Sequence, residues 1–146
     1  MKMYEQLPHT ADIKIRVYGA NKKELFKHAL IGMFQVIGPH ADGCKRVDGQ
    51  LVCDALPIQH VVAIQSPDSE ALLVDFLSEA LWYSDVYNQA FLDAAINTLT
   101  ETSIEAIIKG VQVSGFDVVE IKAVTYHDLA IKEVDGMWQT DIVFDI

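Results

Sequence analysis

Asp145 and Ile146 are the last two residues of the chain, and they end a run from Trp138 in which apolar and polar side chains alternate. This alternation predicts a β-strand that continues to the last residue. Such a strand would hold the Asp145 carboxylate beside the α-carboxylate of Ile146. Asp12, in a second predicted strand, adds a third carboxylate if the two strands are neighbours. An all-oxygen set of this kind suits calcium or magnesium better than zinc.

Asp141 lies on the same predicted strand face as Asp145. Four residues of extended chain separate the two by roughly 13 Å, which is too far for both to hold one ion. Asp145 and the terminal carboxylate are therefore the better pair. The alternative interpretation is a charged edge strand whose carboxylates oppose aggregation.

His9 precedes Asp12 in the short motif His-Thr-Ala-Asp. An imidazole at this position could bind a metal ion or relay a proton. A turn that begins at Pro8 and is hydrogen-bonded by the residues after it explains the same sequence without any chemistry. The motif by itself leaves both interpretations open.

Asp75 and Glu79 are four residues apart on a predicted helix and share one face with Trp82. Like charges at this spacing are mildly destabilising, so a basic partner or an ion could compensate them. The alternative is an acidic face that is simply solvated.

Lys122 and His127 lie in a segment with many polar residues in an otherwise β-prone part of the sequence. The Lys122 ammonium group could pair with a carboxylate near Asp12 or Asp145, and His127 could act as a base or a ligand. His127 and Asp128 are not a catalytic pair merely because they are adjacent, since neighbouring side chains of a strand point to opposite faces.

Composition and missing motifs exclude several classes of protein. The net charge of −10 argues against a general nucleic-acid-binding surface, which needs clustered Lys and Arg. The sequence has no phosphate-binding GxGxxG or GxxxxGK[ST] loop, no GxSxG and no HExxH, so no self-sufficient active site is recognised. It also has no apolar stretch long enough for a membrane span and no signal peptide, which predicts a cytoplasmic protein with reduced thiols at Cys44 and Cys53.

The pattern along the chain predicts two helices among many strands. Asn21 is expected to cap the first helix and Gly38-Pro39 to end it, while Pro67-Asp68 starts the second. Asp135-Gly136 predicts a tight hairpin. Residues 39–49 are expected to form an exposed loop. The strands are expected within residues 12–18, 50–66, 91–99, 103–114, 118–134 and 137–146.

This order predicts the α+β class, with two helices packed on a mainly antiparallel sheet system. Two duplicated strand-helix-strand units sharing that sheet system would produce the same order, although no sequence repeat establishes them. The length of 146 residues predicts a single domain over residues 1–146.

Taken together, four segments resemble the archease family, and they occur in that family's order. The resemblance covers residues 4–146, and its most specific parts are the His-Thr-Ala-Asp start and the Lys-Ala-Val-Thr-Tyr-His strand. The four segments are LPHTADIKIRVYG, LLVDFLSEALW, EIKAVTYHDLAI and the terminal DIVFDI.

The resemblance implies a protein cofactor, not an enzyme. Its partner is expected to be a GTP-dependent RNA ligase of tRNA splicing or RNA repair, whose guanylylation and multiple turnover it promotes. It would meet RNA only indirectly, through the ligase. The family's calcium site, carried over, falls on Asp12, Asp145 and Ile146, with magnesium or manganese as other metals. His9, Asp75, Glu79, Lys122 and His127 are expected to be supporting or to face the partner.

Two alternatives remain open at the level of sequence. A small metal-dependent hydrolase would use His9, Asp12, Lys122 and His127, and the isolated protein would turn over a small substrate. A chaperone or adaptor with a structural metal site would bind diverse clients and would tolerate substitution of Asp12.

Overall fold

The structure, a computed structural model, describes residues 2–9, 12–118, 121–126 and 128–146. Within these ranges it has two helices, α1 (Lys22–Val36) and α2 (Ser69–Tyr87), and a larger number of strands. The strands are β1 (Tyr4–Leu7), β2 (Ile13–Gly19), β3 (Pro39–His40), β4 (Cys44–Val47), β5 (Gln50–Cys53), β6 (Ile58–Gln65), β7 (Gln89–Leu99), β8 (Ser103–Gln112), β9 (Gly115–Phe116), β10 (Ala123–Thr125), β11 (Lys132–Val134) and β12 (Met137–Asp145).

The first sheet has the strand order β1-β2-β12-β10, and β11 also pairs with β12. All these pairs are antiparallel. In β2 the side chains of Ile13, Ile15 and Val17 are buried, while those between them are partly exposed, as the alternation predicts. β12 is an interior strand, because β2 pairs along one side of it and β10 and β11 along the other. The chain is therefore held on both sides almost to its last residue.

The second sheet has the order β6-β8-β7 and is also antiparallel. β6 pairs with β8 over its whole length in an uninterrupted register, whereas the pairing of β7 with β8 shifts at two places. The short strands β4 and β5 form a hairpin, and β3 pairs with β9. Two helices and antiparallel strands in several sheets confirm the predicted α+β class. β2 and β6, which precede the two helices, belong to different sheets.

Both helices begin at the side-chain caps that the sequence indicates. The Glu24 N–H donates to Asn21 Oδ1 at 2.9 Å, and the Ala71 N–H donates to Asp68 Oδ1 at 2.8 Å. α2 ends at Asn88, whose φ of 56° is in the left-handed region that terminates helices.

No helix in the described part of the chain is long and apolar enough to cross a membrane.

The apolar faces of the helices and sheets meet in one continuous core. Phe26 of α1 packs against Phe76 of α2, with their ring centroids 6.1 Å apart. Phe34 of α1 meets the edge of Phe91 in β7 at 5.5 Å. All four rings are fully buried, so α1 contacts both α2 and the second sheet through large apolar groups.

Gly32 lets α1 approach the first sheet closely. A Cβ added at this position would lie 2.9 Å from the Tyr4 ring and 3.1 Å from Ile15 Cδ1. The absence of a side chain thus lets the helix lie directly on β1 and β2.

The expected loop over residues 39–49 is wrong, because this range contains β3, β4 and the turn of a hairpin. Asp48 and Gly49 have φ values of 50° and 79° and connect β4 to β5 as a two-residue turn. Asp-Gly is a strong signal for this turn type, and it is the same dipeptide that predicts the confirmed β11–β12 hairpin at Asp135-Gly136.

The expectation of reduced thiols is also wrong. Cys44 and Cys53 are directly opposite each other in the β4–β5 hairpin, with Cα atoms 4.4 Å apart, and they form a disulfide. The hairpin is attached to α1 independently of this bond. The Gln35 side chain donates to the Leu51 carbonyl at 3.0 Å and accepts from the Leu51 N–H at 2.9 Å.

The predicted strand over residues 118–134 is not one element. Thr125 pairs with Val143, and Lys132 pairs with Gln139. The described residues between 125 and 132 outnumber the residues between 139 and 143, so not all of them can pair with β12. The described part of this range consequently contains the short strands β10 and β11. Val119, Glu120 and His127 lie outside the described residues.

Replacing Thr140 with Val tests the packing of β12. Thr140 is fully buried, and its hydroxyl has no hydrogen-bond partner within the described residues. Removing an unsatisfied buried hydroxyl while keeping the side-chain shape should raise the free energy of unfolding by about 1 kcal/mol. Urea denaturation of the two proteins measures this. Thr98→Val, at an exposed position of β7, should change stability by less than about 0.5 kcal/mol. A loss of stability in Thr140→Val would show that the hydroxyl has a partner.

Candidate metal centre

The register between β2 and β12 brings two of the predicted metal ligands to the same end of the first sheet. Ile13 pairs with Phe144, so the next residues outward are Asp12 and Asp145, and Ile146 follows. Ile13 and Phe144 face the core. Strand alternation then assigns Asp145 to the outer face, where its side chain is exposed, and Asp12 is partly exposed. The condition stated for the sequence, that the two strands are neighbours, is therefore met.

β10 supports the same end of β12 from the other side. Ala123 pairs with Asp145, and the Lys122 N–H donates to the Asp145 carbonyl at 2.7 Å. The main chain of Asp145 is therefore held by β10, while the pairing with β2 stops one residue earlier, at Phe144. Lys122 is exposed and lies next to Asp145 through its backbone, and the pairing of its ammonium group with a carboxylate stays a prediction.

His9 is near Asp12 in the structure. Its Nδ1 atom lies 3.8 Å from Asp12 Oδ2, and both side chains are about one-third exposed, at 34% and 30%. This is an ion pair when the imidazole is protonated. Thr10 and Ala11, the middle residues of the His-Thr-Ala-Asp motif, lie outside the described residues.

The donor set fits a hard cation. The side chains of Asp12 and Asp145 and the α-carboxylate of Ile146 supply only oxygen atoms, which are the ligands that calcium prefers. Among the described residues no group of three or more His, Cys, Asp and Glu side chains is arranged to hold a metal ion. The predicted set has two such side chains and takes its third donor from the main chain, so it is not a group of that kind and stays a prediction.

Asp141 has a different partner, which explains why it does not join the ligands. Asp141 lies opposite Arg16, whose Nε donates to Asp141 Oδ1 at 2.8 Å and whose Nη2 donates to Oδ2 at 3.1 Å. This two-pronged hydrogen bond lowers the pKa of the Asp141 carboxyl. Lys14, paired with Val143, lies between this ion pair and the ligand end. The sequence analysis did not single out Lys14, although its place in the β2 alternation assigns it to the same outer face.

The two acidic residues predicted on α2, Asp75 and Glu79, differ in their local contacts. Asp75 is exposed and accepts a hydrogen bond from Ser66 Oγ at 2.6 Å, which links α2 to the residue after β6. This contact compensates part of the repulsion expected from Glu79. Glu79 is partly exposed, and the Trp82 side chain keeps 53% of its surface exposed. The surface available to a partner thus combines carboxylates with an aromatic ring.

Tyr126 makes a contact with Asp68 that no sequence pattern indicates. Its hydroxyl lies 3.4 and 3.5 Å from the two carboxylate oxygens of Asp68, the residue that caps α2. Desolvation raises the pKa of Tyr126, and the carboxylates of Asp68, Glu70 and Asp75 raise it further. The contact attaches the end of β10 to the start of α2. His127, the next predicted site residue, lies outside the described residues.

Known proteins similar to this chain all point to one family. Residues 4–146 match the model of the archease protein family. The archease of Methanosarcina acetivorans is 37% identical over 153 residues, which cover 99% of this chain and 97% of that protein. The archease of Pyrococcus furiosus is 30% identical over 154 residues and is covered completely, as is this chain.

Two solved structures have the same fold. The solution structure of protein 1598 from Methanobacterium thermoautotrophicum has a TM-score of 0.70 and 25% identity, with complete coverage of both chains. The crystal structure of an archease from Thermotoga maritima, described as a possible chaperone, has a TM-score of 0.63 at 20% identity, covering 100% of this chain and 99% of that one.

Asp141→Asn tests whether the ion pair with Arg16 is structural. It should lower the free energy of unfolding by about 1 kcal/mol at neutral pH, a value limited by the solvent exposure of the pair. Because the folded-state pKa of Asp141 is lowered, this stability is present above the unfolded pKa of about 4 and is lost as the pH falls through the folded-state value.

Urea unfolding of wild type and Asp141→Asn at neutral pH and at about pH 3 measures the predicted convergence. The control is Asp85→Asn, which removes an exposed carboxylate from α2. A stability difference that persists unchanged in acid would contradict the assignment to the Arg16 ion pair.

Proposed function

The chain belongs to the archease family, and we propose that it is an accessory activator of a GTP-dependent RNA ligase in tRNA splicing or RNA repair. In this proposal it promotes guanylylation of the ligase and restores multiple turnover. The observation that carries the proposal is the meeting of Asp12 and Asp145 at one end of the first sheet. The family relation suggests the RNA ligase as the partner, and the exposed carboxylates suggest metal binding as the chemistry.

The metal part of the proposal assigns calcium to the carboxylates of Asp12, Asp145 and Ile146. Magnesium or manganese would accept the same donors. A bound divalent cation would supply positive charge where anionic groups of the ligase and its nucleotide are handled. The chain's own contribution is to present these oxygens at the adjoining ends of the paired strands β2 and β12, so that the ligands need less ordering when the metal binds.

The partner surface in this proposal surrounds that end of the sheet. Lys122 and His9 lie beside the ligands and are suited to contact phosphate or carboxylate groups of the ligase. Asp75 and Glu79 on α2 are suited to basic groups. A net charge of −10 opposes direct binding of RNA, so RNA is met only through the ligase. The proposed site of action is the cytoplasm, and no membrane partner is included.

The proposed role is that of a protein cofactor, not an enzyme. The hydrolase alternative needs His9, Asp12, Lys122 and His127 in one reactive centre, and His127 lies outside the described residues. Of these, the described contacts join His9 and Asp12, and they bring Lys122 to Asp145 through a backbone hydrogen bond. The chaperone alternative has one finding in its favour, the description of the Thermotoga relative as a possible chaperone. The two roles can be distinguished, because a chaperone activity would tolerate substitution of Asp12 and ligase activation would not.

Multiple-turnover ligation of a 3′-phosphate RNA by the cognate ligase tests the activator role. Wild type should raise the number of products per ligase well above one. Asp12→Asn and Asp145→Asn should lose most of this stimulation, because each removes a charged metal ligand. The control Asp141→Asn, whose carboxylate is committed to Arg16, should stimulate like wild type.

Each outcome of this assay separates the alternatives. No stimulation by the wild-type protein would refute the activator role. Full stimulation by Asp12→Asn and Asp145→Asn would support the activator role but would show that this role does not need the metal site. Suppression of the aggregation of unrelated proteins, unaffected by either substitution, would favour the chaperone.

The free C-terminus provides a separate test of the metal site. A short peptide tag after Ile146 converts the α-carboxylate into an amide and should weaken calcium binding about tenfold or more, because one anionic ligand is lost. Titration calorimetry of the tagged and untagged proteins measures the affinity. Circular dichroism should show an unchanged fold, since Ile146 lies beyond the last strand. Equal affinity of both proteins would show that the terminal carboxylate is not a ligand.

A further inference from the structure

The outer edge of β6 is the least protected part of the second sheet. Residues 55–67, which contain β6, include no Asp, Glu, Lys or Arg, in a chain that has 32 such residues. β6 pairs with β8 without a bulge, and the structure records no backbone hydrogen bond from its other edge within the described residues. Val61 is 75% exposed. A long, uncharged and regular edge strand is a template for another strand.

The opposite edge of the same sheet is protected in the usual ways. β7 has two register shifts in its pairing with β8. Lys27 forms an ion pair with Asp93 at 3.1 Å, and Lys23 Nζ lies 3.4 Å from the Asn97 carbonyl. Irregular pairing and nearby lysines both oppose the addition of a strand. The second sheet therefore has one edge, β7, that opposes the addition of a strand and one edge, β6, that does not. We call the outer side of β6 (Ile58–Gln65) the bare edge.

We propose that the bare edge of β6 binds a second copy of this chain, so that two β6 strands pair antiparallel about a two-fold axis at Val62. In this register Gln59 meets Gln65 of the second copy, and Val61 meets Ala63. On the exposed face of β6, polar residues thus meet polar ones and small apolar residues meet apolar ones, while on the other face His60 would meet Ile64. A strand that matches itself in this way forms an interface with identical surfaces on both subunits.

The surroundings of β6 agree with a second copy as the occupant. Val61, Ile107 and Ala95 are neighbours across the three strands and form a row of apolar side chains on the face where Val61 is exposed. Pairing at β6 extends this row into the second copy through Ala63. The edge strand itself carries no charge over residues 55–67, and the charged residues beside it on β8, Glu105 next to Ala63 and Lys109 next to Gln59, are of opposite sign.

An aromatic group lies beside the same strand. The His60 ring stacks on Tyr83 of α2 with a centroid distance of 3.9 Å, and it lies 5.9 Å from Tyr87. Tyr87, Val86 and Trp82 are 46%, 50% and 53% exposed. Pairing of β6 strands alone gives a small interface, so these side chains are the available apolar surface next to the edge that can enlarge it.

Sedimentation equilibrium of the full chain over a wide concentration range tests this dimer. Wild type should show a reversible monomer–dimer equilibrium. Val61→Lys and Ala63→Lys should each raise the dimer dissociation constant by about tenfold or more, because a lysine on an edge opposes strand pairing. The matched control is Val134→Lys, an exposed valine of β11 in the other sheet, which should dimerise like wild type.

Two measurements on the dimer check its register and do not depend on the lysine variants folding. Amide hydrogen exchange in residues 58–65 of the wild type should slow as the protein concentration rises. A spin label at Gln59→Cys should report two labels whose backbones are roughly 20 Å apart, since Gln59 meets Gln65 of the second copy.

Several results would overturn the proposed dimer. A wild type that stays monomeric at all concentrations overturns the proposal, and so does a dimer that the lysines in β6 do not weaken. A dimer with unprotected β6 amides, or one whose strand is covered only when another protein is added, also overturns it. The proposal is independent of ligase activation, because it concerns the other sheet and is read without the ligase.

Discussion

The position of β12 as an interior strand is the constraint on which the rest of the first sheet depends. A C-terminal segment is usually the least constrained part of a chain. Here backbone hydrogen bonds to β2 on one side and to β10 and β11 on the other remove that freedom. The same pairing places Asp145 next to Asp12 and Arg16 next to Asp141. The proposed metal centre and the main surface ion pair are thus consequences of one register.

The two faces of β12 have different tasks. On the inner face Ile142 and Phe144 are fully buried in the core that α1 and α2 complete. On the outer face Asp141 is neutralised by Arg16, while Asp145 is left exposed at the end. A shift of one residue in the pairing of β12 would exchange these faces and bury the carboxylates. The cost of burying them strongly selects the observed register, so packing of the core also fixes the chemistry of the surface.

The two sheets present different kinds of surface to other molecules. The first sheet ends in carboxylates, with Lys122 and Lys14 beside them, and suits a partner that brings charged groups or a metal. The second sheet offers the uncharged edge of β6 and the aromatic side chains of α2 next to it. Because these features belong to different sheets, the proposed ligase activation and the proposed self-association need not compete. The β4–β5 hairpin adds a third element, attached to α1 by Gln35 as well as closed by its disulfide.

Local patterns of residues predict a part of this fold correctly. Alternation identified β2 and β12, Asn21 and Asp68 identified the helix starts, and Asp135-Gly136 identified a hairpin, because each is decided by a few neighbouring residues. The same turn signal at Asp48-Gly49 is sufficient to predict the β4–β5 hairpin. With it, the pairing of the two cysteines would also have been within reach.

Contacts between distant segments are visible in the folded chain and not in any local pattern of residues. The alternation of β12 cannot say which strands lie beside it, so the nearness of Asp12 to Asp145 was a conditional expectation until the register was known. The division of residues 118–134 into β10 and β11 follows from the different lengths of chain on the two sides of β12. The Tyr126 contact with Asp68 joins residues far apart in sequence. Such pairings are chosen by the burial of the whole core, which no local pattern contains.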